Sequence, residues 1–482
     1  MELSADKAAL VAVDLGAQSC RVSMLRWLRG VPQIQIIHRF SNGPVSTTRG
    51  LVWDLDKIVK GVLTGLRLCG EQANDGIAAV GIDGWAVDYV RLRADGSPYA
   101  EPFCYRDERT SNAMKELHTL LPADRLYLLT GIQQLSLNTL YQLYADHGAE
   151  SDSPMKWLNI PEYITFRLGG LPVSEYTNAT HTQLVRSGSH DWCEEIFRTA
   201  GLEITAAPKI VPTGSMVGSL HHQELSVPAF SHTQLIVPAC HDTASAVAAI
   251  PAEGDDWAFI SSGTWSLVGV VLSRPCVTQD SFKLNFTNLG GAGNLIYFLK
   301  NVNGMWLLQQ LALEWGRSGV FWPLEDLIRT TSSMPVPTAL VDVDDPQLLL
   351  PGDMLAKLNA QITRDGHEPF ALNYQDIPRI ANTVFHSMAD RYAEVLKDIG
   401  KLTGKRLKRV FIVGGGARNA HLNRLTAQRS GLEVVAGVTE ASTLGNFAVQ
   451  IAALQGDNDA LTGVARSSVT KWAERMSTGA VA

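Results

Sequence analysis

Two segments of the sequence, half a chain apart, share one layout, and this repeat restricts the possible folds more than any other feature. Residues 8–27 contain an apolar run (ALVAVDL), a turn of small residues and a second, alternating run (RVSMLRW), which is the pattern of a β-hairpin. Residues 256–272 repeat this order with WAFI, a Ser-Ser-Gly-Thr turn and SLVGVVL. Asp14 and Ser261, at equivalent points, lie 247 positions apart. The repeat predicts two lobes of one architecture, although two unrelated hairpins can also share such a layout.

Strand-like and helix-like runs alternate along the rest of the chain. Residues 77–82 and 236–239 are strand-like, whereas residues 55–68 and 137–144 are helix-like. Near the end, RVFIVGG is followed by a helix-like run and then by EVVAG, which together predict a βαβ unit of about 30 residues. This mixture predicts an α/β fold class.

The length of 482 residues is enough for two or three domains at about 150 residues each. Pro251, Gly254 and three acidic residues interrupt the pattern within residues 248–256, as expected at a boundary between domains. We therefore predict one domain over residues 1–250 and a second over residues 251–482. The segment from Ser467 onward predicts a helix and a frayed tail.

The charge balance and the cysteines exclude several classes of protein. With 41 Lys and Arg against 48 Asp and Glu, the formal charge is −7, which disfavours nucleic acid as a partner. The apolar runs are shorter than the ~20 residues of a membrane span, and residues 1–7 lack the basic start of a signal peptide, so we expect a cytoplasmic protein. Six cysteines lie at least 35 positions apart, which predicts free thiols and no zinc site.

The two hairpin turns are candidate phosphate sites, because successive backbone N–H groups in a Gly/Ser/Thr turn can hold an anion. Asp14 beside the first turn would repel a bare phosphate, so it suits that role only if a cation such as Mg²⁺ bridges the two. Taken alone, an ordinary hairpin is the simpler explanation of the first turn. The second turn, residues 261–264, has three hydroxyls and no charge, which favours direct contact with phosphate oxygens.

A run of glycines, Gly414 to Gly416, lies between a strand-like and a helix-like segment. Glycines at such a junction let the backbone approach a ligand closely, and the N-terminus of the following helix favours an anion. The spacing matches neither a dinucleotide fingerprint nor a P-loop. This feature alone is therefore weak evidence.

The segment CHDTASAVAAI, residues 240–250, places Asp242 between a strand-like run and an alanine-rich helix. Capping of that helix is the simpler explanation of Asp242 or Thr243. The functional alternative is a general base that accepts a proton from an attacking hydroxyl. His241 beside it can bond to a hydroxylated substrate, although a lone histidine is more often structural.

Two further segments, GIDGWAVDY (81–89) and FCYRDERT (103–110), combine charged and aromatic residues. Asp83 and Trp85 have the chemistry of a site that stacks on a sugar face and bonds its hydroxyls. Core packing is the alternative for Trp85, and surface ion pairs are the alternative for the second segment.

Taken together, these segments closely resemble the FGGY carbohydrate kinases. The resemblance runs from Val11 to about Gly456 and consists of separate motifs in the expected order: AVDLGAQSCR, GIDGWAVDY, YRDERT, EYTNATHTQLV, HDTASAVAA, SSGTWSL, LKNVNGMWLLQ and VGGGARN…EASTLGN. It implies two lobes of the actin and hexokinase (ribonuclease H-like) kind, with the active site in the cleft between them. The N-terminal lobe then carries the sugar site and the first phosphate loop, and the C-terminal lobe carries the second phosphate loop and the adenosine site.

The resemblance also implies ATP and Mg²⁺ as cofactors and assigns roles by motif. Asp242 is implied as the catalytic base, and Asp14 as the acid associated with the metal. The residues implied at the sugar are Asp83, Trp85, Ala86, His241 and Thr243. The residues implied at the nucleotide are Ala17, Gln18, Ser19, Cys20, Arg21, Thr264, Asn301, Gln309 and Gly415.

The chain departs from the family pattern at Cys20 and Cys240, where glycine is expected, and in the sugar loop, which has Gly-Trp-Ala at residues 84–86. The implied reaction is phosphorylation of a deoxyketohexose, with L-rhamnulose at O1 as the first expectation. A kinase for L-fuculose or a ketopentose is the alternative, and a sugar or nucleotide sensor on the same fold is a second. The presence of the candidate base Asp242 favours an enzyme, and the sequence leaves monomer and homodimer open.

Overall fold

A computed structural model of the chain describes residues 8–147, 156–371 and 373–477. The strands formed by these residues are β1 (Ala9–Leu15), β2 (Ser19–Leu28), β3 (Val31–Ser41), β4 (Pro44–Thr47), β5 (Gly50–Trp53), β6 (Ile77–Gly84), β7 (Tyr89–Leu92), β8 (Lys156–Asn159), β9 (Val173–Glu175), β10 (Lys209–Val211), β11 (Met216–Ser219), β12 (Gln234–Ile236), β13 (Trp257–Ser262), β14 (Trp265–Leu272), β15 (Thr287–Gly291), β16 (Leu295–Asn303), β17 (Arg409–Val413), β18 (Glu433–Ala436), β19 (Asn458–Asp459) and β20 (Gly463–Val464). The α-helices are α1 (Leu55–Gln72), α2 (Thr110–Leu120), α3 (Ala123–Thr130), α4 (Thr139–His147), α5 (Ile160–Arg167), α6 (Tyr176–His181), α7 (Glu194–Thr199), α8 (Asp242–Ala248), α9 (Gln279–Lys283), α10 (Trp306–Arg317), α11 (Leu324–Thr331), α12 (Met354–Arg364), α13 (Ile377–Thr403), α14 (Ala420–Ser430), α15 (Ala441–Leu454) and α16 (Arg466–Ser477).

The chain divides into two compact units, neither of which is continuous in sequence. The first unit comprises Met1–Pro251, Leu272–Phe298 and Ala441–Ala482, and the second comprises Ala252–Val271 and Leu299–Glu440. This division differs from the predicted C-terminal domain of residues 251–482, because two parts of that range belong to the first unit. The last segment, Ala441–Ala482, belongs to the first unit because α15 packs on β1, β6 and α8.

The central strand of the first unit, β1, is buried along its whole length. It pairs antiparallel with β2 and parallel with β6, within a sheet of order β11-β12-β6-β1-β2-β3. Val11 and Val13 face a core that includes residues of α1, whereas Leu10 and Ala12 face a core that includes residues of α15. Because helices cover both faces, the sequence of β1 is a continuous apolar run rather than an alternating one.

The sheet of the second unit repeats the same plan. Its strand β13 pairs antiparallel with β14 and parallel with β17, and β17 pairs in parallel with β18. The six-stranded sheet has the order β15-β16-β14-β13-β17-β18. The chain passes from the first unit into the second along β16. In the first unit, β6 likewise pairs in parallel with β12. The predicted repeat of two hairpin-led sheets is confirmed.

Other predictions from the sequence can be compared with the described residues. The βαβ unit near the end is present as β17, α14 and β18. All six cysteines are free, and five of them are buried. Among the helices that the structure describes, none is long and apolar enough to cross a bilayer. Residues 1–7 and the predicted tail beyond α16 lie outside the described residues.

Candidate functional site

Asp14 lies at the end of β1, where the carboxylate is 2% exposed. Its register partner on β2 is Arg21, whose Nη2 lies 3.1 Å from Asp14 Oδ2. The hydroxyl of Ser442 on α15 donates a hydrogen bond to the same oxygen. A buried carboxylate requires such partners, because an unpaired charge is costly away from water.

The first turn, between β1 and β2, includes Ala17, Gln18 and Ser19, which are partly or fully exposed. Gly16 begins it, and a Cβ at that position would lie 2.5 Å from the carbonyl oxygen of Ser19. Asn42 holds the turn by donating from its side chain to Gly16 O and from its backbone to Gln18 O, at 2.9 and 2.8 Å. The predicted phosphate turn is thus a tight, partly exposed loop.

The two cysteines at expected glycine positions are both buried. The thiol of Cys20 lies 3.6 Å from Gly16 O, and burial raises its pKa to about 12. Burial also raises the pKa of Cys240 well above its usual range. Both thiols therefore stay protonated and act as small apolar side chains in the core.

Asp83 occupies the position on β6 that pairs with Asp14 on β1. The sequence places Asp83 at the sugar, whereas the structure leaves its residue 0% exposed. Asn446 of α15 donates to Asp83 Oδ2 at 2.5 Å and to Gly81 O at 3.2 Å. Burial, followed by the charge of Asp14, raises the pKa of Asp83 well above its ordinary value.

Asp242 is the first residue of α8, and the N-cap position belongs to His241. The side chain of Asp242 accepts the N–H of the adjacent Thr243, and no side chain caps this helix. Asp242 is therefore not the N-cap residue, although it accepts one N–H of the first turn of α8. The loop before α8 adjoins the end of β6, because Gly84 N donates to Cys240 O at 2.9 Å. The structure thus brings the predicted sugar residues of both motifs together.

The side chain of Asp242 is more exposed to solvent than the side chains beside it. Its side chain is 34% exposed, against 9% for His241, and Thr243 is buried. Burial by the surrounding protein, followed by the charge of Asp14, raises the pKa of Asp242 to about 7. A carboxylate that titrates near neutral pH is suited to accept a proton from a hydroxyl.

Trp85 and Ala86, the other predicted sugar residues, lie in a buried loop after β6. The Trp85 indole donates to Asp88 Oδ2 at 3.0 Å, and the Trp53 indole donates to the same oxygen at 2.6 Å. Burial raises the pKa of Asp88 to about 6. Trp85 is therefore part of the hydrophobic core, where the shared carboxylate fixes its indole beside that of Trp53, with ring centroids 4.5 Å apart.

In the second unit, Thr264 lies in the turn between β13 and β14 and is partly exposed. This second turn contacts the start of α10, because Met305 N donates to Gly263 O at 3.1 Å and Trp306 N donates to Thr264 O at 3.2 Å. Gly304 permits that approach, since a Cβ there would lie 2.8 Å from Ser266 Oγ. Of the other predicted nucleotide residues, Gln309 lies on α10 and Asn301 on β16.

The glycine run after β17 lies against the end of β13. Gly414 has a φ of +81°, and a Cβ on Gly416 would lie 2.0 Å from Ser262 Oγ. Gly415 between them is exposed, and a Cβ there would meet nothing within 4 Å. Because β13 and β17 are parallel neighbours, Gly415 and the second turn lie at the carboxyl edge of one sheet, where α/β proteins bind ligands.

The polar face of α15 carries functional contacts for which no role was predicted. Ser442, Asn446 and Gln450 are spaced by four residues and so share one face of the helix. Gln450 donates to Asn446 Oδ1 at 2.7 Å and to Val11 O at 3.0 Å. This spacing within EASTLGNFAVQ, residues 440–450, is a signal for a buried polar face, but it does not identify the strand that the face contacts.

Comparison with solved structures shows the fold class. A ligand-bound xylulose kinase from Lactobacillus acidophilus is 16% identical and superposes with a TM-score of 0.73, covering 98% of this chain and 97% of that chain. A glycerol kinase from Plasmodium falciparum is 14% identical with a TM-score of 0.73, covering 97% and 93%. The α/β fold predicted from the sequence is therefore that of the two-domain sugar kinases.

Comparison of sequences shows the family. The N-terminal domain of the FGGY family of carbohydrate kinases matches residues 9–249, and its C-terminal domain matches residues 258–454. The chain belongs to the FGGY family of carbohydrate kinases. It is a sugar kinase, for which ATP is the substrate that the family implies.

The curated relatives are more specific. A rhamnulokinase from Oceanobacillus iheyensis is 35% identical over 93% of this chain and 94% of its own length. A rhamnulokinase from Halalkalibacterium halodurans is 36% identical over 92% of this chain and 93% of its own length. The predicted resemblance to a carbohydrate kinase is confirmed, and an enzyme is favoured over a sensor.

Proposed function

We propose that the protein transfers the γ-phosphoryl group of ATP to O1 of L-rhamnulose, with Asp242 as the general base. The relatives named rhamnulokinase support the choice of sugar, because they match nearly the whole chain. The observation that carries the role of Asp242 is its partly exposed carboxylate, which stands among buried neighbours beside the sugar loop.

In this mechanism, Asp242 takes the proton of the sugar hydroxyl. The oxygen of that hydroxyl forms a bond to the γ-phosphorus, while the bond between the γ-phosphorus and the β-phosphate oxygen breaks. A base works best when its pKa lies near the working pH, and the pKa of Asp242 is raised to about 7. A proton on Asp242 removes the base, so the rate should fall as the pH drops below 7.

The sugar would lie against the loop of Trp85 and Ala86 and the adjoining His241 and Thr243. These groups offer an aromatic face, hydrogen-bonding side chains and a backbone held by Gly84. We propose that Asp83 supports the sugar loop from the protein interior. Its complete burial and its hydrogen bond from Asn446 suit it to hold that loop in place. Burial of polar groups around a ligand makes the fit selective, since a mismatched hydroxyl leaves one of them unpaired.

The nucleotide would be bound by backbone and hydroxyl groups of the two turns. In the first unit, this role falls to the first turn with Cys20 and Arg21. In the second unit, it falls to Thr264, Asn301, Gln309 and Gly415. The open space over Gly415 supports this assignment, because a ligand can approach the backbone there.

We propose Asp14 as the residue associated with Mg²⁺, whose preferred ligands are oxygen atoms. The carboxylate fits that ion chemically, although Arg21 and Ser442 already contact Oδ2. Within the described residues, no group of three or more His, Cys, Asp or Glu side chains could hold a metal. Mg²⁺ commonly keeps several waters and binds phosphate oxygens, so we propose contact with Asp14 through water. When bound, the ion would neutralise charge on the phosphates.

Replacing Thr264 by valine tests the second turn. We expect Thr264→Val to lower kcat roughly tenfold, because a hydroxyl donor to the transferring phosphate is lost while the shape is kept. Thr264→Ser, which retains the hydroxyl, should stay within a few-fold of the unmodified enzyme. Calorimetry without nucleotide should give the same sugar affinity for all three proteins. Equal loss of sugar affinity in the valine variant would contradict the assignment.

The choice of substrate is tested by a coupled assay of ADP release over a panel of ketoses and polyols. A buried polar group left unpaired costs about 1 to 3 kcal/mol, so L-rhamnulose should exceed L-fuculose in kcat/KM by roughly ten- to a hundredfold. Equal use of both sugars, or preference for L-fuculose or a ketopentose, would contradict the proposed substrate but leave the sugar kinase activity in place.

A further inference from the structure

Two histidine rings, those of His181 and His241, form a chain of close contacts that ends at Asp242. His181 ends α6, and its Nε2 lies 3.0 Å from Nδ1 of His241. The other nitrogen of His241, Nε2, lies 3.4 Å from Asp242 Oδ1. The rings meet edge to face, with centroids 4.0 Å apart. A continuous path of polar contacts therefore runs from α6 to the proposed base.

Both imidazoles are neutral at the pH at which the base is ionised. Burial lowers the pKa of His181 to about 3 and the pKa of His241 well below its ordinary value. A neutral imidazole carries one N–H, so one nitrogen donates and the other accepts. The contact between the rings needs one donor, and the choice of donor fixes the tautomer of His241.

Only one of the two arrangements suits an ionised Asp242. If His241 donated from Nδ1, its bare Nε2 would face the carboxylate oxygen, and two acceptors would lie side by side. If His181 donates, His241 carries its proton on Nε2 and can donate to Asp242 Oδ1. Hydrogen bonds to an ionised group are stronger than those between neutral groups, which favours this second arrangement.

The helix that carries His181 also holds the backbone of the same loop. Glu175, the N-cap of α6, accepts the N–H of Cys240 at 2.9 Å. Thr177 Oγ1 accepts the N–H of His241 at 3.3 Å. The N-cap of α6 and two residues of α6 thus contact the two residues that precede the base. This independent set of contacts indicates that α6 supports the loop of Asp242.

We propose that His181 is a positioning residue, which donates to Nδ1 of His241 and thereby holds the Nε2–H of His241 toward Oδ1 of Asp242. Thr243 donates to that same oxygen. Both donors then fix the carboxylate through Oδ1 and leave Oδ2 to take the substrate proton. The effect on catalysis depends on the proposed role of Asp242, whereas the tautomer of His241 does not.

Two variants at one position separate the hydrogen bond from packing. His181→Leu removes the donor, and we expect kcat to fall roughly five- to tenfold with KM for ATP unchanged. His181→Gln keeps an N–H at a similar reach and should restore kcat to within about twofold. His118→Leu is a matched control, because His118 is also half-buried and bonds to Tyr141 outside the proposed site. Its kcat should be unchanged.

Nitrogen-15 NMR of labelled histidine provides a readout that does not depend on activity. The resonances of His241 and His181 are assigned from their absence in His241→Asn and His181→Leu. In the unmodified enzyme, His241 should be neutral with its proton on Nε2. In His181→Leu, it should become a mixture of tautomers, and in His181→Gln it should return to the Nε2–H form.

The outcomes separate this proposal from the role of Asp242. A proton on Nδ1 of His241 in the unmodified enzyme, or equal kcat in His181→Leu and the unmodified enzyme, would overturn the role of His181. So would failure of His181→Gln to restore kcat in a folded protein. If Asp242→Asn retained full activity, the proposed base would be wrong, while the NMR result would still decide the arrangement of the two rings.

Discussion

Asp242→Asn is expected to lower kcat by ~10²-fold or more, the largest effect that we predict for a single substitution. The amide has nearly the shape of the carboxylate and can still accept the N–H of Thr243, but it cannot take a proton from the sugar. Affinity for ATP should be retained. The measurements are steady-state kinetics on the preferred ketose and calorimetry with a nucleotide.

The pH dependence provides the control for this substitution. Since the pKa of Asp242 is raised to about 7, kcat/KM of the unmodified enzyme should rise with pH up to about 7 and then level. The residual activity of Asp242→Asn should lack that rise. A variant with near-normal kcat, or one that kept the same pH profile, would contradict the proposed base.

Gly445→Ala is expected to destabilise the first unit strongly. Gly445 lies on α15, and a Cβ there would lie 1.9 Å from the carbonyl oxygen of Ser245 on α8. Backbone cannot yield as a flexible side chain does, so α8 and α15 must separate. Overpacking of this kind costs about 1 to 3 kcal/mol or more. Because α8 begins with Asp242, kcat should fall as well.

The matched control is Gly316→Ala on α10, where a Cβ would meet nothing within 4 Å. Alanine is favoured over glycine inside a helix by about 0.5 to 1 kcal/mol, so this variant should be as stable as the unmodified protein or slightly more so. Thermal unfolding should show a midpoint lowered by roughly 5 °C for Gly445→Ala. If Gly445→Ala had an unchanged midpoint and an unchanged kcat, the close packing of α15 on α8 would be contradicted.

The fold could be predicted largely from local patterns. The apolar run of β1 and the alternation of β2 each determine a strand, and their repetition at β13 and β14 predicts a second sheet of the same plan. The grouping of α15 with the first unit could not be predicted in this way. It depends on packing between segments that are far apart in sequence, and a hydrophobic helix surface does not specify its partner.

The candidate site shows the same limit. Asp14, Asp83 and Asp242 stand out because each acid follows an apolar run. The alternation of side chains along β1 places Asp14 on the face of Leu10 and Ala12, the face that packs with α15. Ser442 is 428 positions away from Asp14, and no spacing rule joins the two. The burial of Asp83 follows from the same packing, so it too could not be read from the strand alone.

The three-part construction of the first unit has a consequence for synthesis. The ribosome makes Asp14, Asp83 and Asp242 early, yet the hydroxyl and amide that stabilise two of these carboxylates are on α15, near the end of the chain. Until that helix emerges, Leu10 and Ala12 lack the helix that covers them, and Asp14 lacks the Ser442 donor. A nascent chain halted at residue 440 therefore cannot complete its proposed sugar-binding unit, however much of the remaining structure has formed.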